Sequence, residues 1–514
     1  SEHQHIEVVA VGEALPTRRE GPSARDPVAA TAGKFEIGEP DSRIQEVINF
    51  GYDLERALYA KIVQKCGDRR YWGTWAQDIG RIAQTHINRI RNLLADPGRS
   101  AERAAFARFA AQLRQDLNNQ LKDDDIIEML AQHLITQPVF EALFGEYAFA
   151  ANNPVSQAMA EILALLYGEN LHKEREHLRS FYDDVRHRAE GINSGAGKQK
   201  VIIELYDQFF RSAFPRMAER LGIVYTPVEV VDFIIHSVDE VLRQEFGRSL
   251  ADRGVHILDP FTGTGTFITR LLQSGLIPPE ALAAKYRQEE IHANEIVLLA
   301  YYIAAINIEA TFHDLMAAAG APAVYEPFTG ICLTDTFDMY ERKDLLTGTL
   351  PENSARRQRQ KAQPIQVIIG NPPYSAGQES ANDNNANLEY PPLDERIRQT
   401  YAAHSQATSK KNLMDSYIRA FRWASDRINE KGGEGVIGFV TNAGWLDSNS
   451  SDGLRHCLAE EFSSLYIFHL RGNQRTSGER SRQEGGKIFG SGSRAPIAIS
   501  LLVKNPRAGR SGQI

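Results

Sequence analysis

The sequence predicts a doubly wound, mainly parallel α/β sheet preceded by an all-helical domain. Three observations carry this. From Val255 onward, short apolar runs of strand type alternate with helix-period segments. The first of those runs passes directly into a glycine-bearing turn, Asp259 to Thr266. The stretch 41–195 ahead of them shows helical periodicity only. Alternating strands and helices close most simply into parallel β-α-β units, because each crossover helix must return the chain to the same edge of the sheet.

Residues 1–40 are rich in Gly, Pro and charge, with little apolar periodicity, and read as a linker or arm. In 41–195 the apolar stripes Ile79-Ile82-Ile87-Ile90-Leu93-Leu94 and Phe106-Phe109-Leu113-Leu117-Leu121 mark helices. Asp96-Pro97-Gly98 ends the first, and Asp123 to Asp125 opens the next at its favourable N-terminus. Asn153-Pro154 reads as an N-cap followed by a first-turn proline. These stripes most simply form the domain's own core, with Trp72 and Trp75 as packing residues.

A Gly/Ser joint at 191–198 leads to a helix over Val201–Leu221 and then Tyr225-Thr226-Pro227, which introduces a helix over Val228–Leu242. Strands follow at Val255–Leu258, Ile291–Glu295, Ile331–Leu333, Gln366–Ile369, Gly435–Thr441 and Leu465–Leu470. Helices are expected at Phe267–Leu272, Val297–Asn307 and Leu413–Arg427. The α/β domain is therefore placed at 196–505, with 506–514 as the start of a linker. Ser375 to Lys411 is long and polar and reads either as a loop over the site or as disorder.

Composition is that of a water-exposed chain: 514 residues, 42% hydrophobic and 24% charged, with no apolar run near bilayer length and no leader at its start. The three scattered cysteines, Cys66, Cys332 and Cys457, argue against a disulfide framework or a Cys-rich metal site and for a reducing cytoplasm. The start at Ser1 and the abrupt end at Arg-Ser-Gly-Gln-Ile suggest a piece of a longer polypeptide. Net charge is −8, yet Arg471 to Arg510 holds nine Lys/Arg against Glu479 and Glu484. That run is either a solvated surface or a contact for phosphates.

Two motifs carry chemistry. Val367 to Gly370 reads as a buried strand stopped by Asn371-Pro372-Pro373-Tyr374. Two prolines cannot extend a ladder, so an amide, neighbouring carbonyls and an aromatic ring are fixed at the strand's carboxyl edge. Such edges bind ligands in open α/β sheets. The motif reads either as a grip on an exocyclic amino group or as a plain strand terminator. Asp259-Pro260-Phe261-Thr262-Gly263-Thr264-Gly265-Thr266 is a tight strand-to-helix turn that lets a ligand approach backbone amides. It is not a Walker loop, and its spacing is not the dinucleotide fingerprint. Glu295 ends the next strand, where it could accept ribose hydroxyls. Asp335 and Phe337 end the third, where they could accept from and stack on adenine. Together they describe a pocket for an adenosine with a charged tail, the shape of S-adenosyl-L-methionine.

The combination resembles the amino-group DNA methyltransferases that modify adenine N6. Asp259-Pro260-Phe261-x-Gly263-x-Gly265 resembles their cofactor motif, Asn371-Pro372-Pro373-Tyr374 their catalytic motif, and Tyr225-Thr226-Pro227 the segment that meets the cofactor's methionine end. The motif order resembles the gamma arrangement, with a Rossmann-like methyltransferase sheet and target recognition placed after it. Gln132 to Phe140 and Ser409 to Tyr417 resemble the coupler and methyltransferase part of single-polypeptide Type I-like (Type ISP) restriction–modification enzymes.

The resemblance implies double-stranded DNA as substrate and partner. It also implies nuclease, helicase and target-recognition domains elsewhere on a longer bacterial cytoplasmic polypeptide, with no membrane. Asn371 and Pro372 would polarise the amino group of a flipped-out adenine and Tyr374 would stack on it, with neither metal nor covalent intermediate. The alternatives are a protein glutamine or RNA base methyltransferase, or a non-catalytic DNA-binding or coupling module with a dead pocket.

Overall fold

Among the described residues, the α/β region is built on a seven-stranded sheet. The computed structural model describes residues 69–144, 152–168, 226–322, 324–339, 350–373, 389–431, 433–473, 488, 495–509 and 511–514, all within the unit Ile62–Ile514. The expected arm, the 191–198 joint, the helix over Val201–Leu221, Tyr225, Tyr374 and most of the basic run lie outside the described residues, as do the side chains of Trp72 and Trp75.

Four helices come first: α1 (Arg69–Ala95), α2 (Ser100–Asp116), α3 (Asp123–Phe144) and α4 (Pro154–Tyr167). The Asn153 side chain accepts from the Val155 and Ser156 amides, with Pro154 in the first turn, as the local sequence predicts. Helix α5 (Val228–Phe246) leads into β1 (His256–Asp259), followed by α6 (Thr266–Gln273), α7 (Pro279–Arg287), β2 (Ile291–Glu295) and α8 (Leu298–Ala318). Next come β3 (Ile331–Leu333), α9 (Pro351–Ala362), β4 (Ile365–Gly370), α10 (Pro391–Ile397) and α11 (Ser416–Lys431). The chain ends with β5 (Gly435–Asn442), α12 (Asp452–Glu461), β6 (Ser464–Arg471) and β7 (Ile497–Lys504).

The strands lie in the order β3-β2-β1-β4-β5-β7-β6; β1 to β5 pair in parallel, and β7 runs antiparallel between β5 and β6. The order reverses between β1 and β4, and both strands end there in a short-side-chain or acidic residue, Asp259 beside Gly370. A crevice at such a reversal is where this class of sheet holds ligands.

The sheet separates two apolar cores. Ile257 of β1 faces one core and Leu258 the other, the alternation expected of a strand covered on both faces. The first core is continuous from α2, α3 and α4 through α8 to the sheet. The four N-terminal helices therefore do not bury their stripes only against one another, as the sequence suggested; they share α8 with the sheet. Helix α8 is buried at every position from Leu298 to Phe312, which its almost unbroken apolar sequence requires.

Several stretches differ from expectation, among them β7 (Ile497–Lys504), for which the sequence reading gave no strand range. Within 375–411, residues 391–402 are helical and not loop, with Leu393, Ile397 and Tyr401 supplying the buried anchors. Helix α9 had no apolar signature because its buried side chains are polar, among them Arg356, Arg357 and Gln360. No described helix is long and apolar enough to cross a membrane.

Candidate active site at the strand reversal

The turn after β1 is built by glycine at one obligatory position. Gly265 has φ +89, and a Cβ there would lie 3.2 Å from the Ala304 Cα of α8, so both backbone conformation and helix packing exclude a side chain. Gly263 also has positive φ, +57, but a Cβ there would meet nothing within 4 Å. Its outer face is open to a ligand.

Three carboxyl groups surround this turn, each at the end of a different strand. Asp259 is fully buried. Its Oδ1 accepts from the Phe261 amide at 3.1 Å, while Oδ2 has no hydrogen-bond partner among the described residues. Burial, with Glu295 nearby, pushes its carboxyl up to about 8. Glu295 accepts from the Ile296 and Val297 amides on Oε1 and from the Gly263 amide on Oε2 at 2.7 Å, tying the β2 end to the β1 turn. Burial outweighs these donors and lifts it to about 7.

Asp335 is 3% exposed. Its Oδ1 accepts from the Phe337 amide, and its Oδ2 from the Asn118 Nδ2 at 2.7 Å and the Tyr390 hydroxyl at 2.9 Å. Burial raises it to about 6, held there against further rise by the Asn118 and Tyr390 hydrogen bonds. No described cation forms an ion pair with any of the three. The site is therefore an acidic one, complementary to a cationic ligand.

These shifts have a testable sign. Each group's native value lies above its unfolded one, so its contribution to stability is complete below the ordinary carboxyl range. That contribution is lost as pH rises through the native values of about 6, 7 and 8. The melting temperature of the ligand-free chain is expected to fall as pH rises from the ordinary carboxyl range to about 8, and Asp259→Asn to flatten that fall. Thermal melts across the window check it; a melting temperature that climbs with pH contradicts it.

Asn371 follows β4 directly. Its Nδ2 donates to the Thr226 Oγ1 at 2.9 Å, joining the end of β4 to the segment before α5 and turning the amide oxygen the other way. Pro227 occupies the N-cap position of α5 with extended backbone. Gly370 is required beside it, because a Cβ there would stand 2.9 Å from the Asp259 Oδ1. Phe261 is half-buried and packs against Phe337 with ring centroids 5.3 Å apart, and Phe337 meets Tyr390 edge-on at 5.1 Å. The Thr336 hydroxyl donates to the Pro260 carbonyl, fixing the β3 end against the β1 turn.

The structure thus gathers Thr226, Pro227, Asp259, Pro260, Phe261, Gly263, Gly265, Thr266, Glu295, Asp335, Phe337, Asn371, Pro372 and Pro373 at the carboxyl edge of β1 to β4. Tyr225 and Tyr374 belong to the same two motifs but lie outside the described residues. Sequence reasoning missed Asn118 and Tyr390. Each is a lone polar residue whose partner, Asp335, is 217 and 55 positions away, and no local pattern marks such a pairing.

Known proteins fit this picture region by region. A family model for the coupler domain of Type ISP restriction-modification enzymes matches residues 71–197, and one for the Eco57I restriction-modification methylase matches 305–475. Among solved structures, a nuclease-deletion mutant of the Type ISP restriction-modification enzyme LlaGI in complex with a DNA substrate mimic is 50% identical. Its TM-score is 0.80 over 89% of this chain and 37% of that one. The ATP-dependent Type ISP restriction-modification enzyme LlaBIII bound to DNA is 47% identical, with TM-score 0.81 over 90% and 30%. A DrdV–DNA complex is 36% identical, with TM-score 0.77 over 87% and 42%. The chain therefore spans well under half of the length of each of these relatives. No curated protein matches it.

Proposed function

We propose that this chain, which matches the models for the Type ISP coupler domain and the Eco57I methylase and is similar to solved Type ISP enzymes, transfers a methyl group from S-adenosyl-L-methionine to N6 of an adenine flipped out of duplex DNA. The observation that carries the reading is the placement of the Asn371 amide, held by Thr226, across the β1–β4 reversal from the acidic turn.

The residues present fit the cofactor. Asp259 Oδ2 is a buried acceptor with no donor among the described residues, suited to an ammonium group, and the acidic surroundings suit a sulfonium. Glu295 would take the ribose hydroxyls and Asp335 the adenine amino group, with Gly263 leaving room for close approach. When bound, the cofactor supplies an electrophilic methyl on sulfur.

The chain's own residues do the rest. Flipping the base costs a few kcal/mol of lost pairing and stacking. Stacking on the Tyr374 ring returns about 1–3 kcal/mol. The Asn371 amide oxygen and the Pro372 carbonyl accept the two amino hydrogens, which localises the nitrogen lone pair and stabilises the positive charge that develops there. N6 would take the methyl carbon as the carbon–sulfur bond breaks, leaving a neutral thioether on the cofactor side, and would release a proton to water. Holding both reactants in one closed crevice supplies much of the acceleration.

Because the chain spans only 37%, 30% and 42% of these relatives, we read it as part of a longer bacterial polypeptide that also cleaves and recognises DNA. The test is nucleoside analysis of plasmid DNA from cells expressing that longer polypeptide, together with calorimetry of the 514-residue chain and the cofactor. N6-methyladenine at a fixed sequence is expected. Methylated glutamine or RNA with unmodified DNA would overturn the reading.

A further inference from the structure

The loop between α2 and α3 enters the sheet domain as a row of polar side chains at alternate positions. Asp116 accepts from the Arg357 Nη2 at 2.9 Å and the Ser354 hydroxyl at 3.1 Å, on α9. Asn118 donates to the Asp335 Oδ2 at 2.7 Å. Gln120 donates to the Glu389 carbonyl at 2.8 Å. Asp116 and Asn118 are both buried. The Asn118 amide has no freedom to turn, because its Oδ1 accepts from the Gln120 amide at 2.8 Å while its Nδ2 serves Asp335.

The same Asp335 oxygen is met from the other side by Tyr390. That ring lies under the Arg419 guanidinium, 5.2 Å from its centroid, and Arg419 forms a buried pair with Asp394 of α10. A carboxylate offers about four acceptor positions. Asn118, Tyr390 and the Phe337 amide use three. One position is left for a further donor, and the charge that would receive it is maintained by a residue of the helical region.

We propose that Asn118 is a positioning residue of the cofactor's adenine site, holding Asp335 for the amino group, so that cofactor affinity and the seating of the 116–120 loop are coupled. This rests on the reading of Asp335 as the adenine acceptor. A charge-assisted hydrogen bond removed from a buried carboxylate corresponds to about a 10- to 100-fold loss in affinity. Coupling is reciprocal, so the cofactor must tighten the loop by the same factor by which the loop tightens the cofactor.

The experiment is calorimetry of the 514-residue chain with S-adenosylhomocysteine and with its inosyl analogue, which carries oxygen in place of the ring amino group. Wild type is expected to prefer the adenosyl compound. Asn118→Ala is expected to weaken that compound at least about 10-fold and to narrow the preference, because the analogue has no 6-amino group to donate to Asp335. Tyr302→Phe is the control. It removes another polar contact between the helical region and α8, that of the His133 Nδ1 at 3.0 Å, without touching Asp335, and is expected to leave both affinities unchanged.

If Asn118→Ala fails to fold, Tyr390→Phe carries the test and should shift the preference in the same direction. Hydrogen exchange at 117–122 is expected to slow on adding S-adenosylhomocysteine to wild type. Wild-type affinity in Asn118→Ala, or equal weakening in it and Tyr302→Phe, would overturn the proposal and leave the assigned activity standing. A wild-type chain that binds neither compound would overturn both.

Discussion

Asn371→Ala is expected to lower methyl transfer by about 10²–10³-fold or more, the loss seen when one preorganised polar contact to developing charge is removed, while leaving the cofactor dissociation constant nearly unchanged. The separation follows from position. Asn371 stands at the end of β4 with its amide nitrogen on Thr226, whereas the acidic turn, Glu295 and Asp335 lie at the ends of β1, β2 and β3. On the proposed reading, truncation at Asn371 removes an acceptor for the adenine amino group, while it removes no donor or acceptor of the three carboxyl groups. Transfer of a tritiated methyl group to duplex DNA, read beside calorimetry, measures both quantities. Near-normal turnover would remove Asn371 from the chemistry. A cofactor constant that worsens as much as turnover would make it a structural residue of the pocket.

Arg357→Ala should have the largest effect on stability. Arg357 and Asp116 form an ion pair with side chains 4% and 6% exposed, between α9 and the end of α2. Removing the guanidinium takes this partner from the buried Asp116 carboxylate, which still accepts from Ser354, and breaking a buried pair this way costs about 3–5 kcal/mol. The double substitution Asp116→Leu with Arg357→Met should recover most of that loss, because apolar side chains of similar volume need no compensation for lost hydration. Urea unfolding of the three variants checks both statements. A single variant as stable as wild type would show that water already reaches the pair.

The strands were largely legible because parallel strands covered on both faces read as unbroken apolar runs. Ile291–Glu295 and Ile331–Leu333 were located to the residue and four others to within one, whereas β7 (Ile497–Lys504) was given no range. The gathering of Thr226, Asp259, Glu295, Asp335 and Asn371 at one edge also followed from the sequence, since in a doubly wound sheet every strand's carboxyl end lies on the same side. What could not be read was any feature whose partners are distant and polar. Helix α9 has no apolar face and stays folded through Arg356, Arg357 and Gln360, whose partners come from other elements. Asn118 sits in a loop that looks like a simple connector. Helix α8 was expected to end near Asn307 but runs to Ala318, because an all-round apolar helix gives no periodic signal from which to read a boundary.

Helix α8 also changes what a boundary means in this chain. It closes the sheet's first core on one side and the core of α2, α3 and α4 on the other, so each of its faces is interior to something. A cut in the sequence between the helical and sheet regions would leave one full apolar face of α8 open to water, the kind of patch that drives a fragment to aggregate. Exchanging one region without the other is therefore expected to destabilise the chain, although the two match separate family models.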